Sequence, residues 1–313
     1  MKIYLGTDTS CYTTSAAFYD AESGKAYSER RLLPVKPGEK GIRQSDAVFH
    51  HTAALPEMIR ALTARIGSVS LSAVGASDRP SNIAGSYMPC FTVGAGLAAS
   101  IASLNGIPAY YQSHQHGHIA AALFGAGRLD LIDTTFLAFH ISGGTTEAVF
   151  CKPDHQAVFS CERILYSTDL KAGQAIDRTG VMLGLPFPSG RALDELSLQS
   201  EKRFKIKPSV KDGCPSLSGV QNKVEKMKID GDADCDIALF CIESVSAAIK
   251  AMRDALKEKY PGLPIVYSGG VTANTILRRE LSDAESIFAP PEYTGDNAVG
   301  AAVLAALKHQ NHN

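Results

Sequence analysis

Two histidines four residues apart, His114 and His118 in the run His114-Gln115-His116-Gly117-His118, have the spacing to hold a metal ion. On a helix, positions i and i+4 share a face, so both imidazoles can reach one ion. His116 falls between them and points elsewhere. No Glu follows His114, so this is not the H-E-x-x-H pattern of zinc peptidases. The plain alternative is a histidine cluster without a ligand. A third ligand should be an acid from a distant loop, and Asp296, at a turn before an apolar helix, is the candidate. Its alternative use is as a helix N-cap. Two imidazoles and a carboxylate would leave positions open for a phosphate or substrate oxygen.

A second chemical signal lies in turns rich in Gly, Ser and Thr at predicted strand ends. Ser142-Gly143-Gly144-Thr145-Thr146 and Ser268-Gly269-Gly270 are two of them, and Asp8 opens a third that runs to Thr14. Successive backbone N–H groups and hydroxyls in such nests bind phosphate oxygens, and two nests on two lobes would clamp a nucleotide. A Gly-Gly turn opening a helix suits the nucleoside end, because glycine lets the backbone approach a ligand. Ordinary hairpins use the same residues. Asp177, within a predicted helix that ends near Gly184, could hold a ribose diol; its alternative is a surface pair with Arg178 or Arg191.

The elements that must position these residues follow from the apolar pattern. Ile3–Gly6, Ala16–Tyr19 and Arg30–Val35 read as strands, and Ala47–Ile66 as a helix with Leu55, Met58, Ile59 and Leu62 on one face. Ala73–Ala76 is a short strand, Thr92–Leu104 a small-residue helix, Ala109–Tyr111 a strand, and Ser113–Phe124 the histidine-bearing helix. The strand-turn-strand opening then recurs at Thr135–His140 and Glu147–Cys151, about 134 residues on, which predicts two related α/β lobes. A strand at Ile265–Tyr267 leads through the third Gly turn to a helix containing Asn274, Ile276, Leu277 and Leu281. Lys202–Asp232 is charged and irregular and reads as an insertion or a mobile excursion. A small-residue helix, Ala298–Lys308, ends the pattern.

Composition narrows the classes. The 313 residues suit two domains, and a formal net charge of −1 rules out attachment to nucleic acid by overall basicity, though not by a local patch such as Lys202–Lys228. Hydrophobic content of 45% against 20% charged disfavours disorder. Trp is absent and aromatics are few, against stacking-based strand binding. No signal peptide is visible, and Met88–Leu104, interrupted by Pro89 and polar residues, reads as a buried helix rather than a membrane span. The seven scattered cysteines contain no C-x-x-C pair, which points to a reducing cytoplasm and away from disulfides or a zinc ribbon.

Taken in order, these motifs resemble the threonylcarbamoyl transferase family called TsaD, formerly Gcp or O-sialoglycoprotein endopeptidase. Gly6-Thr7-Asp8-Thr9-Ser10-Cys11 is similar to its opening G-I-E-T-S-C, and His114, Gly117 and His118 to its H-x-x-G-H. Ser142-Gly143-Gly144 with Thr146 is similar to S-G-G-x-T, and Gly173 through Asp177 to G-E-A-F-D. Leu183 to Gly190 resembles L-G-L-x-Y-P-G-G, Gly269 to Asn274 resembles G-G-V-A-A-N, and Asp296-Asn297-Ala298 the late D-N-A.

The resemblance implies the actin, sugar kinase and Hsp70-like ATPase fold, an α/β architecture of two RNase H-like lobes with a nucleotide cleft between them. The lobes would be residues 1–130, with the helix at about 297–310 packing back on them, and residues 131–296. It implies that His114, His118 and Asp296 bind one divalent metal, iron or zinc with magnesium as the alternative. Ser142, Gly143, Gly144, Thr145, Thr146, Asp177, Gly190, Gly269, Gly270 and Asn274 would contact ATP, AMP or threonylcarbamoyl-AMP, and Asp8 is the candidate catalytic acid. The implied reaction moves a threonylcarbamoyl group from its AMP anhydride to the N-6 amine of a tRNA adenosine, with tRNA and a smaller TsaB-like fold relative as partners. Tyr12, Thr13, Arg79, Thr145 and Gln174 depart from the family pattern. They motivate a second reading, a divergent nucleotide- and metal-binding paralogue acting as a regulatory or scaffolding partner; a metallopeptidase is the third.

Overall fold

The computed structural model describes residues 2–10, 12–34, 42–67 and 69–312. Cys11 and Val35, both used in the sequence reading, lie outside the described residues. The chain divides into two compact units, one of Met1–Thr134, Lys152–Cys161 and Asp296–Asn313, the other of Thr135–Cys151 and Glu162–Gly295.

The first unit is built on β1 (Ile3–Ser10), β2 (Thr13–Asp20), β3 (Lys25–Leu32), α1 (Gln44–Ile66), β4 (Leu71–Arg79), α2 (Phe91–Asn105), β5 (Ala109–Ser113), α3 (His114–Gly125) and the late helix α10 (Val299–Asn311). Its sheet has the order β3-β2-β1-β4-β5. β1 pairs antiparallel with β2 and parallel with β4, so the chain crosses over through α1 between them. All of β1 is buried, polar residues included, as befits a central strand covered on both faces. Ile3, Leu5, Phe18, Leu55, Met58, Leu62 and Val74 fill the core between this sheet and α1 and α2. The third strand is β3, which starts earlier than the predicted Arg30–Val35 because its antiparallel pairing with β2 begins at Lys25, opposite Asp20.

α10 lies against the sheet at backbone distance. A Cβ at Gly6 would sit 2.3 Å from Ala298 O, and one at Gly75 would sit 2.2 Å from Ala301 O. Alanines and glycines on the helix and glycines on β1 and β4 permit the approach, where any larger side chain would hold the layers apart.

The second unit comprises β6 (Phe136–Ile141), β7 (Thr146–Asp154), β8 (Val158–Tyr166), α4 (Ala172–Met182), α5 (Gly190–Ser197), β9 (Ser209–Lys211), β10 (Cys214–Ser216), α6 (Ser218–Ile229), α7 (Asp234–Lys259), β11 (Ile265–Ser268), α8 (Thr275–Leu281), β12 (Ser286–Phe288) and α9 (Pro291–Thr294). β7 starts in this unit and ends in the 152–161 segment assigned to the first, and β8 starts in that segment and ends in this unit. The sheet order is β12-β11-β6-β7-β8. β6 pairs antiparallel with β7 and parallel with β11, so this sheet repeats the pairing logic of the first. α7 packs its apolar side, with Ile242, Val245, Ile249 and Met252, into the larger core.

Lys202–Asp232 is not irregular throughout. It holds the β9–β10 hairpin and the three-turn helix α6, whose Val220, Val224 and Met227 face the core at helical spacing. Among the described residues six cysteines are free, and no helix is long and apolar enough to cross a membrane. The Met88–Leu104 stretch largely forms α2, which buries Phe91, Gly94, Ala98 and Ala102 on one face and leaves Leu104 exposed, so it is a half-buried helix and not the fully buried one expected.

Candidate functional site

In the first unit, β5 runs directly into α3. Ser113 Oγ accepts from His116 N (3.2 Å) as an N-cap, which starts the helix at His114 and fixes the shared face of His114 and His118. Their Nε2 atoms are 3.0 Å apart. Asp296, delivered by the turn before α10, has Oδ1 3.1 Å from His118 Nε2 and 3.6 Å from His114 Nε2. The three donor atoms lie within 4.8 Å of one another. Asp296 is not an N-cap: Asn297 Oδ1 accepts from Val299 N instead.

Asp8, at the far end of β1, accepts from His114 Nδ1 through Oδ2 at 2.8 Å. That bond orients the ring so that Nε2 faces His118 and Asp296, the placement of a carboxylate behind a metal-binding imidazole. The sequence reading offered Asp8 as a catalytic residue; in the structure its Oδ2 faces His114 Nδ1 and its Oδ1 accepts from Ser10 N. Burial disfavours charge on all these groups, yet the Asp8 and Asp296 carboxylates outweigh it and hold His114 well above the usual histidine range. Asp296 is held well below the usual carboxylate range against its burial by both imidazoles. His118 is lowered, by burial first and by His114 second. A compact set of two imidazoles, one ionised carboxylate and a buttressing acid is the donor chemistry of a divalent first-row metal.

His116 has a structural role. Its Nε2 meets Phe159 O at 2.8 Å, and its Nδ1 meets Asn82 Nδ2 at 2.9 Å. The sequence reading missed Gly300: a Cβ there would fall 1.8 Å from Gly117 O, so α10 reaches α3 only because residue 300 is glycine. The signal was available in the run of small residues from Ala298 to Ala302, but not which neighbour it served.

In the second unit, the parallel neighbours β6 and β11 end together, with His140 beside Ser268, so both Gly turns leave the same edge of the sheet. Ligands of open α/β sheets sit outside such carboxyl ends. The 142–145 turn closes through Ser142 N to Thr145 O at 2.8 Å, and α4 docks on it through Gly173 N to Ser142 O at 3.2 Å and Ala172 N to Thr146 Oγ1 at 2.7 Å. A Cβ at Gly173 would lie 2.6 Å from Gly143 Cα. Gly143, Gly144, Gly190 and Gly270 face open space, which leaves their backbone approachable. Gly269 has φ +93° and its Cβ would strike Ile141 O at 2.4 Å, so glycine is required twice over.

Asp177 accepts from Ser189 N (2.8 Å) and pairs with neither Arg178 nor Arg191; Arg191 binds Glu195. Burial raises the Asp177 pKa. Asn274 caps α8 by accepting from Leu277 N and donates to Asp194 Oδ1, so its amide is largely committed to holding the turn. Gln174, where the resembled family has Glu, accepts from Lys171 N and starts α4.

The whole fold is that of the actin, sugar kinase and Hsp70-like class. HypF in its phosphate- and nucleotide-bound form superposes with a TM-score of 0.60 at 13% identity, over 99% of this chain and 46% of that chain. The Acidaminococcus fermentans (R)-2-hydroxyglutaryl-CoA dehydratase component A gives 0.59 at 16%, over 100% of both chains. Within that class, the chain belongs to the family TsaD, tRNA N6-adenosine threonylcarbamoyltransferase, whose profile matches residues 30–303. Relatives of that name are 29% identical in Streptococcus suis, over 99% of this chain and 93% of that protein, and 30% identical in Granulibacter bethesdensis, over 95% and 86%.

Proposed function

We propose that the chain transfers a threonylcarbamoyl group from threonylcarbamoyl-AMP to the N-6 amine of a tRNA adenosine. The observation that carries this reading is the convergence of His114, His118 and Asp296, buttressed by Asp8, in a chain of this family. His114, His118 and Asp296 would hold one divalent ion, iron or zinc with magnesium as the alternative, supplying Lewis-acid polarisation of a carbonyl or phosphate oxygen. Ser142–Thr146 and Gly269–Gly270 would receive phosphate and nucleoside through backbone N–H groups, with Asp177 and Gly190 on the ribose side. The adenine amine attacks the carbamoyl carbon, a C–N bond forms, the C–O bond to phosphate breaks, and AMP departs as the amine loses its proton.

The test is nucleoside analysis of unmodified tRNA after incubation with the protein, threonylcarbamoyl-AMP, a divalent metal and a smaller TsaB-like partner. Threonylcarbamoyladenosine is the expected product, and its absence rejects the reading. The amide at Gln174, engaged in starting α4 where the family has an acid, favours the second reading of a nucleotide-binding paralogue. Nucleotide binding without turnover would select it.

A further inference from the structure

Residues 202–228 hold eight Lys or Arg against two acids in a chain of net charge −1. Lys202 is neutralised by Asp232 and Asp236, and Lys228 by Asp234. Arg203, Lys205, Lys207, Lys211, Lys223 and Lys226 are exposed and make no ion pair among the described residues. Their arrangement is ordered. From 203 to 208 the chain alternates exposed Arg203, Lys205 and Lys207 with half-buried Phe204, Ile206 and Pro208, the two-residue period of an extended segment. Phe204 anchors it on Phe240 of α7, with ring centroids 5.3 Å apart. The cations therefore stand in a row on the outer side.

That row runs beside α6. Lys202 reaches Asp232, just past the end of α6, at 2.9 Å, while the β9–β10 hairpin leads into its start. Seven extended residues and a twelve-residue helix both span about 20 Å. α6 adds Lys223 and Lys226. Its other flank borders a cavity of about 370 Å³ whose lining includes Asp169, Gln174, Arg178, Ser218, Gln221 and Asn222, the amides and the guanidinium being able to hydrogen-bond base edges. Cations left unpaired in this density repel one another and favour a polyanion.

We propose that Arg203, Lys205, Lys207, Lys223 and Lys226 dock the phosphate backbone of the RNA substrate. The proposal rests on the reading that tRNA is that substrate.

The experiment is fluorescence-anisotropy titration of an unmodified tRNA transcript at graded KCl, with the full chain and the R203A/K205A/K207A/K223A variant. Each lost phosphate contact lowers the slope of log K against log salt by about 0.7 to 0.9, so the slope should fall by about 3 and low-salt affinity at least tenfold. The control K25A/R30A/R60A, exposed cations of the first unit, keeps the wild-type slope. Should the quadruple variant not fold, K205A/K223A should lower the slope by about 1.5. Unchanged slope and affinity in the variants overturn the proposal. Wild-type tRNA modification, assayed in parallel, separates the two ideas. Modification with unaltered variant binding removes the docking surface alone; salt-slope loss without wild-type modification keeps the surface and removes the transferase reading.

Discussion

His114 is held from both sides, by Asp8 at Nδ1 and by His118 and Asp296 at Nε2. Asp296→Asn or His118→Ala should abolish stoichiometric divalent-metal binding in calorimetry, whereas Asp8→Asn should weaken it roughly 10- to 100-fold, the usual cost of losing a carboxylate behind a ligand. Protons compete with metal at His114, whose pKa is raised, so apparent affinity should climb as pH rises through and above neutrality. A flat affinity between pH 6 and 8 would contradict this. The ligands themselves were legible because their residue types and spacing are chemical facts of the sequence. Asp8's partner was not, since 106 residues separate it from His114 and only the β1–β4–β5 sheet brings them together.

Among the elements, the docking of α4 on the 142–145 turn is sensitive to a single methyl group. Gly173→Ala should push the Ser142–Gly143 turn away from α4 and cut AMP or ATP affinity at least tenfold, measurable by calorimetry, at a stability cost of about 1–3 kcal/mol. α1 offers a separate test. Its His51 is buried, with Nδ1 2.7 Å from Thr14 Oγ1, and burial lowers its pKa to about 4. Between that value and the unfolded value near 6.5 the unfolded chain binds the extra proton, so the contribution is complete above 6.5 and is lost as pH falls towards 4. The loss approaches 3 kcal/mol as an order of magnitude. Urea denaturation at pH 4.5 and 7 should therefore show a smaller pH dependence for His51→Gln than for wild type, and equal dependence would refute the assignment. α1, α2 and α3 were readable from periodicity and small-residue runs. α6 was not, because four Lys and Glu residues in twelve mask the three apolar positions that face the core.

At the scale of the molecule, the two sheets share one strand order, strand, hairpin, hairpin, then two crossovers, although the halves have little sequence in common. The recurrence was visible in the sequence as two strand-turn-strand openings, because hydrophobic alternation survives where residue identity does not. What the sequence hid was the return of 296–313 to the first unit at backbone contact. Gly300→Ala puts a methyl group against Gly117 O, and heat unfolding should show a lower melting temperature together with weaker metal binding. Normal metal affinity in a destabilised Gly300→Ala would uncouple the helix from the site.

The glycine seam between α10 and its sheet has a topological consequence. The ligand pair His118 and Asp296 is 178 residues apart, and every residue of the second unit lies on the loop between them. A metal there would act as a reversible staple across that loop, drawing the late chain onto its beginning as a cross-link restricts an unfolded polymer. Chelation would then be felt as loss of tethering for the final helix, and protease nicking near residue 296 should accelerate when the ion is withdrawn.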